Sequence, residues 1–467
     1  MFLYNYRSLN KGMIWVEMNI KLPLEVELII DKLYKNGYEG FAVGGCIRDS
    51  ILGLEPKDWD ITTSSTPDQT KELFSSLGYK VIETGIQHGT VTIIMNKMPY
   101  EITTYRVEGK YTDNRRPSKV YYTSNLEEDL KRRDFTINTF AYNYKAGLVD
   151  CFNGIKDLNC KRIKAVGDGN ERFQEDALRM LRAIRFSSQL NFSIDDHTEE
   201  AIINNSKLLK NISVERIREE FKKILISDIP SKGIRKLIEL NLMEYIIPEL
   251  IELVDFNQRS KYHDKDIFNH VMAALDNTNN DFNLRLATLL HDIGKPSTFT
   301  IDNNGRGHFY GHELVGEKLT IEILKKLKFD NNTINRVSKL VKNHMKIPQI
   351  NKPIKIKKYI NEIGEENLDI LFQLMIADRK ASSPEYRKYD DILKLKRTCD
   401  EIINSKEPLT LKDININGKD LISLGIAEGE NIGILLKYLL ELVLEKPNLN
   451  TKEILIQEAR IYAKNHL

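Results

Sequence analysis

The sequence predicts an α/β head built on a mixed sheet, followed by an all-α remainder that divides into a neck, a histidine-bearing body and a tail. Three observations carry that prediction. Residues 22–160 alternate helix-like and strand-like periodicity, the apolar positions recur almost wholly at helical spacing from about residue 170, and most of the nine histidines fall between about 256 and 385. The expected parts are 22–160 (head), 161–255 (neck), 256–385 (body) and 386–467 (tail). A chain of 467 residues, 41% of them hydrophobic, has apolar material for about three cores at ~150 residues each. Charged residues make up 29% and balance to a net +2, which excludes a uniformly basic chain and confines any nucleic-acid contact to a local basic surface.

The elements follow in order. VELIIDKLYKNG keeps its apolar residues at helical spacing and ends on a glycine suited to a helix C-terminus. GFAVGG, TVTIIM and YEITTYRVEG read as strands, and CIRDSILG, after paired glycines, as a short helix. The segment VEGKYTDNRRPSKVYYTSNLEED is polar, basic and long, a kind of loop that is often mobile and functional. QEDALRMLRAIRFSSQL and SVERIREEFKKILIS supply neck helices, and the tail reads as a Gly-bearing turn before the apolar helix ILLKYLLELVL. Cys46, Cys151, Cys160 and Cys399 are scattered without metal-site spacing, which suits a reducing compartment and a cytoplasmic location. The N-terminal segment lacks the apolar core of a secretory signal, and Met1, Met13 and Met18 are alternative starts. No apolar run reaches ~18 residues, so no membrane span is expected.

Chemistry first shows in FAVGGCIRDSILGLEPKDWDITTSS (41–65). Asp58 and Asp60 flank Trp59, and on a strand side chains two apart share a face. Adjacent carboxylates repel unless a cation lies between them, and Mg²⁺ suits hard oxygen ligands shared with substrate phosphates. Alone, D-x-D reads more readily as a solvated strand face. The preceding Gly44 and Gly45 let a backbone approach a phosphate, and Arg48 follows at a helix start, a combination suited to an anion.

With that combination the chain resembles the class II nucleotidyltransferases, which comprise CCA-adding tRNA nucleotidyltransferases and bacterial poly(A) polymerases. Further motifs follow in the family's order. DLKRRDFTINTFAYN (129–143) resembles the sugar-recognition motif, and VDCFNGIKDL (149–158) the hinge, with Asp150 and Gly154. QEDALRMLRAIRF (174–186) resembles the base-selecting motif and ISVERIREEFKKIL (212–225) the last neck motif. The resemblance runs over roughly 25–255, with further similarity into the tail. It implies a polymerase-β-like head in which Asp58 and Asp60 hold two Mg²⁺ ions, Gly44, Gly45 and Arg48 hold the triphosphate, Arg133 contacts the nucleotide and Asp134 the ribose. Glu101 reads either as a third carboxylate near the metals or as a solvent-facing strand residue. TGIQHGTV (84–91) resembles the tRNA-type enzymes, and the polar loop matches the flexible loop that complete CCA-adding enzymes use in switching to adenosine.

Asp176 and Arg179 are three apart, hence expected as neighbours on one helix face, and Arg182 and Arg185 continue that spacing. A carboxylate acceptor beside a guanidinium donor can match the amino-bearing edge of cytosine or adenine and mismatch uracil or guanine. The same residues also read as an exposed helix laced by salt bridges to Glu175 and Asp176. The resemblance implies that Asp176 and Arg179 template CTP and ATP, with Arg182 and Arg185 on phosphates or holding the motif.

A second constellation comprises His270, the adjacent pair His291–Asp292, then His312, His344 and Asp378. Imidazole and carboxylate together suit a divalent transition metal. The ordered set resembles an HD domain, a helical metal phosphohydrolase fold, which implies a second metal and either phosphoester hydrolysis or a tRNA-cradling role.

The expected function is template-independent addition or repair of the tRNA 3′ CCA from CTP and ATP, with tRNA as partner. A poly(A) polymerase and an enzyme adding only CC or only A remain open, as does, from another class, an HD phosphohydrolase with an RNA-binding head. The sequence carries no statement of oligomeric state.

Overall fold

A computed structural model describes residues 6–8, 14–16, 18–83, 85–109, 119–260, 264–426 and 429–466. Met1 and Met13, Thr84 of TGIQHGTV and residues 110–118 of the expected loop lie outside the described residues. The chain divides into two units, Met1–Pro248 and Glu249–Leu467.

The first unit is organised on a nine-stranded sheet. Its strands are β1 (Tyr6–Ser8), β2 (Ile14–Val16), β3 (Gly40–Val43), β4 (Asp60–Thr63), β5 (Lys80–Ile82), β6 (Thr90–Met95) and β7 (Met98–Thr104). A separate hairpin of β8 (Arg106–Glu108) and β9 (Val120–Tyr122) follows, and β10 (Ala141–Asn143) and β11 (Gly147–Asp150) complete the sheet. The order is β1-β2-β11-β10-β3-β4-β7-β6-β5, with β4 and β7 parallel and every other pair antiparallel. YEITTYRVEG is therefore two strands, split at Tyr105, rather than one. TVTIIM alternates half-buried and buried positions, as a strand with one face in the core must.

Helices α1 (Leu24–Lys35), α2 (Gly45–Ile51), α3 (Pro67–Ser76), α4 (Leu126–Lys131) and α5 (Gly154–Asn159) flank the sheet. In α1 the stripe Val26, Ile29, Ile30 and Leu33 is buried, each side chain contributing about 1.5–3 kcal/mol. A capping box, in which Thr66 and Gln69 satisfy each other's backbone N–H, starts α3 immediately after β4. The neck is α6 (Gly169–Glu175), α7 (Leu178–Leu190), α8 (Asp196–Asn205), α9 (Val214–Leu225) and α10 (Pro230–Glu239), with α7 packed on α9 and α10.

The second unit is helical. It runs α11 (Ile267–Asp276), α12 (Phe282–Leu290), α13 (Lys295–Thr298), α14 (His312–Lys326), α15 (Asn331–Asn343), α16 (Pro353–Ile363), α17 (Glu365–Ala381), α18 (Asp390–Asn404), α19 (Gly418–Ser423), α20 (Glu430–Glu445) and α21 (Lys452–His466). Aspartates 266, 281 and 330 cap α11, α12 and α15 through their side chains, which fixes where those helices begin. Gly294 lets the α12 end meet the α14 start, since a Cβ there would lie 2.3 Å from the His312 carbonyl oxygen. Among the described residues no helix is long and apolar enough to cross a membrane.

Candidate active site and candidate metal centre

In the first unit, three carboxylates gather at one edge of the sheet. Asp60 opens β4, and its register partner on the parallel strand β7 is Glu101. Asp58 precedes β4 instead of lying on it, so the expected strand alternation reaches only one of the pair. All three residues keep exposed surface, but the carboxyl groups of Asp60 and Glu101 are partly desolvated by the protein around them. Burial raises the Glu101 carboxyl, and the Asp60 and Asp58 charges raise it further. Burial raises Asp60 likewise, with Arg133 opposing and Asp58 adding. Such mutual repulsion fits a site that accepts a divalent cation. Nearby, burial pushes the Cys46 thiol up to about 12, with Asp60 adding, so Cys46 is a packed neutral group and no nucleophile.

The glycine turn follows β3, which is antiparallel to β4, so the turn emerges at the edge where Asp60 begins. Gly44 has φ +85°, and a Cβ there would come 3.1 Å from Arg133 Nη1. Only glycine combines that backbone with that approach. The buried Arg133 Nε finds no hydrogen-bond partner, which leaves this guanidinium under-satisfied beside the turn. Its restraint is Asp129, a buried residue of α4, whose carboxylate also accepts from the Thr62 hydroxyl, Arg132 and the Arg106 N–H.

A chain of polar contacts then joins the turn to the neck. Arg48 is buried and donates to Asp49 at 2.7 Å and 2.8 Å and to Asn138 Oδ1 at 2.6 Å. Asn138 Nδ2 donates to Asp134 Oδ1 at 3.0 Å, and Arg182 donates twice to Asp134 Oδ2, at 2.8 Å and 2.7 Å. Burial opposes ionisation of Asp134, but Arg182 and Asn138 hold its carboxyl well below the usual range. Both Asp134 oxygens are thus engaged within the protein. Arg185 donates to Glu220 of α9 at 3.2 Å, and burial, with Arg182 adding, lowers it to about 10. The Phe186 ring lies under three guanidiniums: Arg185 at 4.4 Å, Arg48 at 4.9 Å and Arg182 at 5.4 Å from its centroid.

Asp176 and Arg179 do not share a helix face. The helix breaks between α6 and α7, where Asp176 is extended (φ −137°, ψ 102°) and its carboxylate accepts the Leu178 N–H. An aspartate that can satisfy a free N–H at a helix start competes with helix continuation, which helical spacing alone does not reveal. Asp176 is instead paired with Arg216 of α9, and Arg179 with Glu175 at 2.6 Å.

In the second unit the expected ligands converge from five places: His270 on α11, His291–Asp292 at the end of α12, His312 opening α14, His344 closing α15 and Asp378 on α17. His291, His312 and His344 each donate Nδ1–H to the carbonyl three residues back, those of Thr288, Phe309 and Val341, at 2.7, 2.8 and 2.7 Å. The carbonyls ending α12 and α15 have no helical partner, so a histidine at the C-cap takes them. This pins the tautomer and turns each Nε2 lone pair inward, the arrangement of a metal-ligating imidazole. Two groups, His270–His291–Asp292 and Asp292–His312–His344, each hold their ligand atoms within 4.8 Å of one another and share Asp292. Asp378 Oδ1 lies 2.9 Å from His270 Nε2. Burial lowers His344 to about 3, with His291 adding, so it offers a neutral ring. Despite burial, His291 and Lys295 hold Asp292 well below the carboxylate range. The cluster borders a cavity of about 570 Å³ that Lys295, Arg306, His308, Tyr310 and Arg379 also line.

Sequence reasoning named neither Asn138, Asp129, Phe186, Arg216, Glu220 nor Lys295. Arg216 and Glu220 carried a signal, being four apart and so on one face of an amphipathic helix. Lys295 likewise stands three after Asp292, which it contacts at 2.7 Å.

Comparison with known proteins adds three family-model matches: "Poly A polymerase head domain" over 40–164, "Probable RNA and SrmB-binding site of polymerase A" over 191–253, and "HD domain" over 260–382. The CCA-adding enzyme of Ligilactobacillus salivarius is 34% identical over 447 residues, 92% of this chain and 95% of that protein. That of Lactobacillus delbrueckii subsp. bulgaricus is 50% identical over 216 residues, 46% of this chain, so the match spans about half (54%) of that relative's length. Among solved structures, the Bacillus stearothermophilus CCA-adding enzyme in complex with CTP superposes with a TM-score of 0.71 at 28% identity, covering 95% of this chain and 100% of that one.

Proposed function

Given that the chain belongs to the family of CCA-adding enzymes, we propose that it builds or repairs the 3′-terminal CCA of tRNA, taking nucleotidyl groups from CTP and ATP and releasing pyrophosphate. The observation that carries this reading is the register of Asp60 with Glu101, which sets a carboxylate cluster at the sheet edge where the Gly44 turn emerges. In this reading residues 22–160 are the catalytic head, 161–255 the neck, 256–385 the HD body and 386–467 a tRNA-binding tail, working in the cytoplasm. Asp58, Asp60 and Glu101 would hold Mg²⁺, which, when bound, stabilises charge on the attacking and leaving oxygens. Gly44, Gly45 and Arg133 would receive the triphosphate. Arg48 works one step back, holding Asn138 and, through it, Asp134. Asp134 holds Arg182 toward the nucleotide, so any contact with the ribose would be shared with that pairing. Asp176 and Arg179 would read the base. The test is incorporation of labelled CTP and ATP on tRNAs ending before the CCA, after C and after CC. Completion of all three to CCA is expected; long adenylate tails without CTP use, or arrest after CC, would overturn it. Arg179→Ala should relax base choice more than it weakens triphosphate binding.

The pinned imidazoles favour a second activity. We infer that His270, His291, Asp292 and Asp378, with His312 and His344, hold a divalent transition metal, which when bound supplies Lewis-acid chemistry for phosphoester hydrolysis. Metal content by mass spectrometry and hydrolysis of bis(p-nitrophenyl) phosphate check it. Loss of neither in His291→Ala would overturn it.

A further inference from the structure

We infer that Arg216, on neck helix α9, is the positioning residue that makes the base-reading carboxylate selective; the inference rests on the reading of Asp176 and Arg179 above. Its basis is a count of the hydrogen bonds already made. Asp176 Oδ1 accepts from the Leu178 N–H at 3.1 Å and from Arg216 Nη1 at 3.3 Å, and Oδ2 accepts from Arg216 Nη2 at 2.8 Å. Among the described residues that leaves a lone pair on Oδ2 as the remaining acceptor. Arg179 spends Nη1 on Glu175 at 2.6 Å and the Arg172 carbonyl at 3.1 Å, and one Nη2–H on the Arg132 carbonyl at 2.9 Å. Its Nε–H and second Nη2–H remain to donate.

The residual pattern is one acceptor beside two donors. Cytosine presents its complement, an amino donor followed by two acceptors, and adenine presents an amino donor beside a ring-nitrogen acceptor. Uracil and guanine set a carbonyl against Oδ2 and an N–H against the guanidinium. That discrimination needs the carboxylate held in one plane. A two-point guanidinium fork imposes a plane, whereas a point charge does not. Asp176 is outside any helix, so backbone geometry alone does not hold it. Four residues along the same face of α9, Glu220 holds Arg185, so one helix positions both Asp176 and Arg185.

The experiment measures kcat/KM for CTP, ATP, UTP and GTP on tRNA ending before the CCA, in wild type, Arg216→Ala and Arg216→Lys. Inhibition by inorganic tripolyphosphate gives triphosphate affinity independently. Both variants should lower the CTP-over-UTP preference by about tenfold or more, the worth of one well-placed hydrogen bond to a charged group. Tripolyphosphate inhibition should stay within about twofold. Lysine keeps the charge and most of the packing of α9, so a folding defect in the alanine variant leaves the lysine variant to decide. Retained selectivity in the lysine variant, or an equal loss for all four nucleotides, overturns the role of Arg216. A wild type that adds nucleotides without preferring CTP and ATP overturns the template reading itself.

Discussion

The carboxylates of the first unit and the histidine cluster of the second are the two groups proposed above to receive cations, and they are built by opposite means. At the sheet edge, burial and mutual repulsion raise Asp60 and Glu101. In the cluster, imidazoles and Lys295 hold Asp292 below its ordinary range. The first is an excess of negative charge open to solvent, suited to a hard, exchangeable cation that arrives with phosphates. The second is buried, sets Asp292 2.7 Å from the Lys295 ammonium and offers imidazole nitrogens, a donor set suited to a borderline divalent metal. Their orientation differs too. Arg48, Arg133 and Arg182 of the first site are held by other side chains, whereas three of the second site's histidines are held by backbone carbonyls that no substitution removes.

The largest expected effect separates the two sites. Asp60→Ala should cost several kcal/mol of charge stabilisation, on the order of a thousandfold in nucleotide incorporation, while transition-metal content stays at the wild-type level. His291→Ala should empty the cluster, read as metal loss by mass spectrometry, with CTP incorporation kept within about twofold. If either variant disables both readouts, the sites are not independent and the contrast fails.

Next in size is the Asp134–Arg182 pair. Asp134→Asn should destabilise the first unit by about 2 kcal/mol at pH 7, less than the ~3–5 kcal/mol of a fully buried pair because Arg182 keeps 34% of its side-chain exposure. The folded carboxyl is held below its unfolded value. Its contribution is therefore complete above about pH 4 and is lost as pH falls through the folded value. Chemical denaturation at pH 7 and below pH 4 checks the sign: the gap between wild type and variant should narrow in acid. A gap that stays the same there would mean that Asp134 acts through packing and not through its charge.

How legible this was in the sequence follows the same division. The candidate ligands of the second unit could be named because His-Asp chemistry is carried by rare residue types, and the pinning of His291 and His344 follows from their place at helix C-termini. The head's strands were legible from alternation, since Ile61 is buried beside Asp60 as a strand with one apolar face demands. Side-chain-to-side-chain pairing was not legible. Asp176 looks helical by spacing, and nothing local says that Arg216, forty residues on, claims its carboxylate. Phe186 read as core, which it is; Arg182 and Arg185 share its helix, while nothing local says that Arg48, from α2, joins them over the ring.

Phe186 gives the smallest test and the one most specific to the first unit. Three guanidiniums within 4.4–5.4 Å of one ring centroid repel one another unless something lies between them. The ring's negative face is worth about 0.5–1 kcal/mol per cation when partly desolvated, and its edge is fixed by Phe135, whose centroid is 5.9 Å away at 81°. Phe186→Leu keeps an apolar side chain of similar volume and removes the quadrupole. It should raise KM for CTP and ATP about three- to tenfold with little change in kcat, because Arg48 and Arg182 are loosened without losing their carboxylate or amide partners. Phe186→Tyr keeps the ring and should stay near wild type. Equal behaviour of the leucine and tyrosine variants would show that Asp134, Asn138 and Glu220 alone orient the arginines. The contrast between a site aimed by side chains and one aimed by backbone would then rest on ion pairs only.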